Sequence, residues 1–412
     1  MTIKQVTERS LRRSVFLFQV LALFLVIVYD SEMLTPNRLY FALLLVGVTY
    51  LANLVVRRFL HGEPYLFIIA TFLLSIGTIM IFRLDSGSGF RQIVWILAGF
   101  AVYFISYLAM RLIPKLDQLT FLYFGLSVLL FLATLVVGVD INGARNWIVV
   151  GPISIQPTEL SKILLVLFIA SFYTHYDRYK SLRFRSIPAG KLLMMGCVYL
   201  LMGLAVLQRD LGTVLVFAAI FLALQYIYEP ERKMILLNLL LMIGGGAMAT
   251  LLFSHVRVRL QTWINPWEYI DTIGYQITQS LFAIASGGFV GTGIGLGMPQ
   301  TIPLAESDFI FAAICEEMGI LTGMGIIMLF LLLCYRSYKI AFGQKNFFSR
   351  ATAIGLATMF AAQSMIIFGG VLKLIPLTGI TIPFVSYGGS SMLASFIALG
   401  ILQYLSEDME RV

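Results

Sequence analysis

Charged side chains are scarce in this 412-residue sequence: Asp, Glu, Lys and Arg make up 12% of it, against 59% hydrophobic residues. So little polar surface cannot cover a water-facing globule of this size, which excludes a soluble multidomain protein. Cysteine is scarcer still. Cys197, Cys315 and Cys334 each lie in or at the end of an apolar segment. Their spacing supports neither a disulfide framework nor a metal knuckle, so they are expected to pack as small apolar side chains. The three histidines are far apart and suggest no metal site. The formal net charge is +8, but the basic residues sit in short gaps between apolar runs. A nucleic-acid binder needs them clustered on a polar face, so nucleic acid is not an expected partner. No small-residue cleavage site follows the apolar run from Val15 to Val28, so a cleavable signal peptide is not expected.

What the chain has in abundance is apolar stretches of around twenty residues, the length that crosses a hydrocarbon core of roughly 30 Å. They predict helices over 14–29, 38–56, 65–84, 91–110, 118–138, 158–175, 190–208, 211–228, 233–254, 312–335, 350–374 and 381–405. The expected fold is therefore all-α, a polytopic membrane bundle of about twelve transmembrane helices. Every second loop is basic. The N-terminus, Arg57/Arg58, Arg111/Lys115, the 176–191 loop with Arg178, Lys180, Arg183, Arg185 and Lys191, Arg232/Lys233, the 336–350 loop and the C-terminal tail form one side. The opposite loops carry few basic residues, among them Arg38, Arg83, Arg91, Arg145, Arg257 and Arg259, with Lys373 near a helix end. By the positive-inside rule, both termini are expected in the cytoplasm.

Two outer loops stand apart, 139–158 and the longer 255–307. Loops of that length in a compact bundle are usually functional. The longer one carries Arg257 and Arg259, then Trp263 and Trp267, which suit a membrane interface, and two carboxylates, Glu268 and Asp271. Between 276 and 285, Ile277, Leu281 and Ile284 share one helical face and Gln276, Gln279 and Ser280 the other, which predicts a short helix lying on the membrane surface. Glycines at 287, 288, 291, 293, 295 and 297 follow. Without GxxxxGK[ST] they are no nucleotide loop; a flexible loop and a close backbone approach to a ligand or a re-entrant turn are both open readings. In the other loop, Glu159 and Lys162 stand i, i+3 and can pair. With Arg209, Asp210, Asp308, Glu316, Glu317 and Lys373, they place charges towards the outer ends of several helices, where ionisable groups tend to mark a pathway or site.

Five ordered motifs in the sequence match one family. They are NGARNW followed by GPISIQPTELSK (142–162), LQRDLGT (207–213), NPW followed by GYQITQSLFAIASGG (265–288), SDFIFAAICEEMG (307–319) and PLTGITIPFVSYGGSS (376–391). On these the chain resembles the SEDS family (shape, elongation, division and sporulation), from about residue 65 to the C-terminus. The resemblance implies a ten-helix core at 61–412 with an extracytoplasmic catalytic loop at 255–307, and two additional N-terminal helices within 1–60. It also implies a peptidoglycan glycosyltransferase in the bacterial plasma membrane that polymerises lipid II beside a class B penicillin-binding protein. Family members commonly carry an essential Asp two residues after the Trp of NPW. Here that column holds Tyr269, and the nearest acids are Glu268 and Asp271.

Such chemistry needs a carboxylate to take the proton of the acceptor's 4-hydroxyl and cations to hold the departing pyrophosphate. Displacement at the anomeric carbon would invert its configuration. Asp271 is the expected general base, with Glu268 as the alternative. From the matched motifs, Arg145, Lys162, Glu159, Asp210, Gln276, Gln279, Asp308, Ser386 and Tyr387 are expected to bind substrate. Many members have Arg where this chain has Asn146, and Arg145 stands beside it. No permanent metal or cofactor is expected, although a divalent cation loosely held at the pyrophosphate would leave no signature in the sequence. Two competing functions are a flippase of the lipid-linked precursor and a non-catalytic scaffold of the division or elongation machinery.

Overall fold

The structure is a computed structural model and describes residues 3–29, 36–141, 143–151, 153–180, 183–184 and 187–410. Asn142 and Pro152 of the first outer-loop motifs, Arg185 of the basic loop and Arg411 of the C-terminal tail lie outside the described residues. A lipid interior offers the backbone no hydrogen-bond partners, so apolar runs of this length must close their own bonds as helices. The helices are α1 (Ile3–Tyr29), α2 (Pro36–Phe59), α3 (Pro64–Leu84), α4 (Ser86–Leu112), α5 (Thr120–Val137), α6 (Thr158–Thr174) and α7 (Tyr176–Lys180). After these come α8 (Ala189–Leu207), α9 (Leu211–Tyr228), α10 (Arg232–Leu252), α11 (Ser254–Ile264), α12 (Tyr275–Gly287), α13 (Ile310–Gly343), α14 (Phe347–Val371) and α15 (Gly389–Glu410). Eleven of them are long and apolar enough to cross a membrane. A further one, α6, has 17 residues and is buried along most of its length, which completes the expected set of about twelve. The protein is an all-α polytopic membrane protein.

Local chemistry sets several boundaries. Only Asp85 separates α3 from α4, and its side chain accepts from the amides of Gly87 and Ser88, which caps α4. Asp210 caps α9 and Asn346 caps α14 in the same way. The expected span at 381–405 is corrected: residues 381–388 are not helical, and α15 begins at Gly389. The apolar run there continues through a turn that packs against the bundle, so hydropathy extends the span past its true start.

The bundle core is built on α3, α14 and α15, which are buried along most of their lengths. Gly77 of α3 lies against the backbone of Val385, where a methyl group would clash. On one face of the bundle the chain closes a clasp. The His61 amide donates to Glu407 Oε1 (3.1 Å), the Glu63 amide to Ser406 Oγ (2.9 Å) and Tyr107 Oη to Glu407 Oε1 (2.6 Å). Arg336 pairs with Glu63 at 3.3 Å, and Gln344 Nε2 donates to the Leu405 carbonyl at 2.6 Å. This face therefore collects the basic loops near Arg57, Arg111 and Arg336 together with the end of α15.

The opposite face carries the two long loops. The first forms an antiparallel sheet, β1 (Val139–Ile141), β2 (Ala144–Val150) and β3 (Ile153–Ile155), in that order. In the second, α12 packs on α13, burying Ile277, Thr278, Ser280 and Ala283. Ser280 thus lies on the packed face rather than the polar one expected for it, with its hydroxyl bonded to the Ile277 carbonyl at 2.8 Å. The helix turns its covered stripe to a protein neighbour, not to lipid alone.

The glycine stretch makes the close backbone approach expected of one reading, but against the protein itself. Helix α13 is broken at Gly319 (φ 81°). There the Thr292 and Gly293 amides donate to the Glu316 and Glu317 carbonyls at 2.9 and 3.0 Å. The Ile320 and Leu321 amides return bonds to the Gly288 and Phe289 carbonyls at 2.9 and 3.2 Å. The groups freed by the break are thereby satisfied, as buried backbone requires. Gly291, at φ 88°, meets α13 too closely for any side chain.

Candidate active site

Between the two outer loops lies a cavity of about 770 Å³. Several segments wall it. Strand β2 brings Asn146 and the residue after β3 is Gln156; one face of α11 brings Arg259 and Trp263. The segment before α13 brings Glu306 and Asp308, and the segment between α14 and α15 brings Lys373 and Tyr387. Glu159, at the start of α6, and Gln276, at the start of α12, complete the polar lining.

Several of these segments are held by identifiable contacts. Arg259 Nη1 donates to the Leu377 carbonyl at 3.2 Å, and Trp263 Nε1 donates to the Lys373 carbonyl at 3.1 Å. These two bonds fasten α11 to the loop that carries Lys373. The Tyr387 amide donates to the Glu306 carbonyl at 2.8 Å, and Ser386 Oγ donates to the Ser307 carbonyl at 2.7 Å. Asp210 accepts from Asn146 Nδ2 (3.1 Å), Gln156 Nε2 (3.3 Å) and the Thr213 hydroxyl (2.9 Å) on one oxygen. Its other oxygen accepts the Thr213 amide at 3.0 Å. Burial pushes the Asp308 carboxyl up to about 6, against the opposing pull of the nearby Arg259 guanidinium and a Ser307 hydrogen bond. Burial in turn lowers the Arg259 guanidinium, which Asp308 and Asp210 partly restore.

The expected site residues divide into groups. Glu159, Gln276, Asp308 and Tyr387 line the cavity. Lys162 is buried behind Glu159, paired with it at 2.7 Å. Asp210 and Ser386 lie behind the wall and hold lining residues in place, while Gln279 is on α12 outside the lining. Arg145 is exposed on β2 with its Nε donating to the Gly138 carbonyl at 3.0 Å, and it does not line the cavity. Asn146 turns inward instead.

Asp271 sits at the rim: Thr272 and Ile273, the next two residues, line the cavity, and Asp271 itself is exposed. Glu268 is also exposed, and accepts from Asn265 Nδ2 at 3.1 Å. Arg259, Glu306, Asn146 and Trp263 line the cavity without having been expected to bind substrate, and Lys373, expected among the outer charges that mark a site, lines it as well. For Arg259 and Trp263 a signal was present, since an Arg and a Trp four residues apart share one helical face. For Glu306 there was none.

Comparison with known proteins agrees with this architecture. The family model for FtsW, RodA and SpoVE, described as a cell cycle protein, matches residues 64–411. Peptidoglycan glycosyltransferase RodA of Mycobacterium leprae is 36% identical over 373 residues, covering 86% of this chain and 80% of that protein. Stage V sporulation protein E of Bacillus subtilis is 34% identical over 361 residues, covering 83% and 96%. A chain from a peptidoglycan synthase complex, in which polymerization and crosslinking are coordinated, superposes with a TM-score of 0.70 at 26% identity, covering 86% of this chain and 100% of that one. The rod shape determining protein RodA of Thermus thermophilus superposes with a TM-score of 0.62 at 25% identity, covering 85% and 98%. This multi-pass chain therefore belongs to the FtsW/RodA/SpoVE family, the group expected from its five motifs.

Proposed function

We propose that this chain is a peptidoglycan glycosyltransferase that polymerises lipid II on the outer face of the bacterial plasma membrane. The observation that carries this reading is the cavity, which joins Arg259 and Lys373 to carboxylates beneath the rim that holds Asp271. The cavity opens on the face opposite the basic clasp, so the positive-inside rule puts the chemistry outside and both termini in the cytoplasm. Residues 61–412 act as the catalytic core, with 1–60 as an appended pair of helices.

In this reading Asp271 takes the proton from the acceptor's 4-hydroxyl as that oxygen attacks the anomeric carbon of the donor. The bond from that carbon to the pyrophosphate breaks, and the configuration inverts. The polyprenyl pyrophosphate leaves as an anion, which Arg259 and Lys373 stabilise as its charge grows. Asp308 lies near Arg259 and offsets its charge, while the Leu377 carbonyl holds the guanidinium in place; Gln276 and Tyr387 contact the sugar or its diphosphate. Asp210 is a positioning residue acting through Asn146 and Gln156. A divalent cation loosely held at the pyrophosphate would add positive charge there beside Arg259 and Lys373. The penicillin-binding partner is of class B and crosslinks the strand as it emerges.

The test is lipid II polymerisation by the purified protein with its class B partner, comparing wild type with Asp271→Ala, Asp271→Asn and Glu268→Ala. Loss of polymer in both Asp271 variants and retention in Glu268→Ala supports the assignment. Normal polymer from the Asp271 variants refutes the base, and no polymer from the wild-type complex refutes the function.

A further inference from the structure

A second cavity, of about 750 Å³, lies between α1, α2 and α3 near the basic face, far from the site above. Four arginines line it, Arg9, Arg12, Arg13 and Arg57, and among the described residues no carboxylate does. The nearby Glu8 pairs with Arg12 at 3.7 Å. Arg12 Nε is buried and has no hydrogen-bond partner among the described residues. Deeper in, the walls are Phe16, Leu17, Val20 and Leu54, all exposed on the surface that faces the bilayer. From Arg12 to Val20 the groove descends about 12 Å, at the helical rise of about 1.5 Å per residue. Its floor is a polar seam that needs no ligand. Gln19 Nε2 donates to Ser75 Oγ (2.6 Å) and Thr49 Oγ1 (3.0 Å), and Asn53 Nδ2 donates to Thr71 Oγ1 (3.3 Å).

We propose that this groove seats an anionic phospholipid, its phosphate among Arg12, Arg13 and Arg57 and one acyl chain along Leu17, Val20 and Leu54. Charge complementarity carries the choice of occupant: four arginines line the groove, the neighbouring Glu8 is half-buried and already paired with Arg12, and guanidinium forks suit phosphate oxygens. The apolar lower half then selects a lipid over a free anion. The bound lipid fills the space between the appended α1–α2 pair and α3, fastening that pair to the core.

The experiment uses the full chain in phosphatidylcholine nanodiscs, with phosphatidylglycerol, more phosphatidylcholine or inorganic phosphate added. Thermal stability and native mass spectrometry report the bound lipid. In wild type, phosphatidylglycerol alone is expected to raise Tm and to be retained. In Arg12→Ala/Arg57→Ala retention falls about thirtyfold, from the usual worth of a basic side chain near an anionic surface. Val20→Trp keeps every arginine but fills the groove, and should lose the lipid as well; it decides the question if the double variant does not fold. Arg232→Ala, a basic change elsewhere on the same face, should retain it. An equal Tm rise with inorganic phosphate, undiminished retention in Val20→Trp, or an equal loss in Arg232→Ala overturns the proposal.

Discussion

Asp308 couples the stability of this protein to its chemistry, and Asp308→Asn separates the two. In the folded protein its carboxyl is pushed from 3.8 up to about 6. A shift of about two units corresponds to roughly 3 kcal/mol, an upper figure because the group borders a cavity wide enough for water. The folded state therefore holds the proton more tightly than the unfolded state does. This effect costs nothing below about 3.8, grows as pH rises to about 6, and is constant above that. Asparagine keeps the shape and the capacity to bond Ser307 but does not ionise. At pH 8 Asp308→Asn should be more stable than wild type by about 1–3 kcal/mol, with the difference vanishing near pH 4. The assay is thermal or chemical unfolding of both proteins across that range, read as the difference so that other titrating groups cancel. Polymerisation by the variant should nevertheless fall about tenfold or more, because Arg259 loses a nearby counter-charge that tunes the field in the cavity. A stability difference that does not change with pH, or one that grows towards acid, refutes the reasoning.

Three further outcomes follow from the same geometry. Asp271→Ala should lower lipid II polymerisation by about 10²–10⁴-fold, the usual worth of a positioned base, while Glu268→Ala stays within a few-fold; glycan strands resolved on gels check this. Removing Arg259 or Lys373 as alanine should cost about 10²–10³ in turnover with smaller effects on substrate affinity, as expected for groups that act on developing charge; initial rates at varied lipid II test the split. Gly319→Ala should destabilise the protein by about 2 kcal/mol or more, because φ is 81° and the added carbon would meet the backbone of Phe289–Gly291; a Tm unchanged from wild type would contradict the knitted break in α13.

The bundle was legible in the sequence because bilayer thickness imposes one length on every span, and composition records it directly. The start of α15 was not legible, since the turn at 381–388 is as apolar as the helix after it. Of the motif residues expected to bind substrate, Glu159, Gln276, Asp308 and Tyr387 line the cavity, and the motifs could not separate them from Lys162, Asp210 and Ser386, which lie behind its wall. That distinction depends on which way a side chain faces in three dimensions. Lys373 was readable as an outer charge near a helix end, but its place beside α11 was not, since that depends on the Trp263 bond to its carbonyl, a contact 110 residues long in sequence. The glycine stretch was readable as a place of close approach, but its partner was the broken backbone of α13.

The deep burial of α3 also sets a timetable for biosynthesis. Among its neighbours, α1 and α2 precede it and α4 follows at once, but α13 and α15 are still to be made. Some 225 residues separate the end of α3 from the start of α13. At a synthesis rate of about 5–20 residues per second, that is a wait of roughly 10–45 s. Throughout it, the faces of α3 that α13 and α15 will cover stand against lipid. The early helices shield one side of the waiting segment, and the clasp between the 61–63 turn and the end of α15 forms last, so completion of the chain is what locks the first core helix in place.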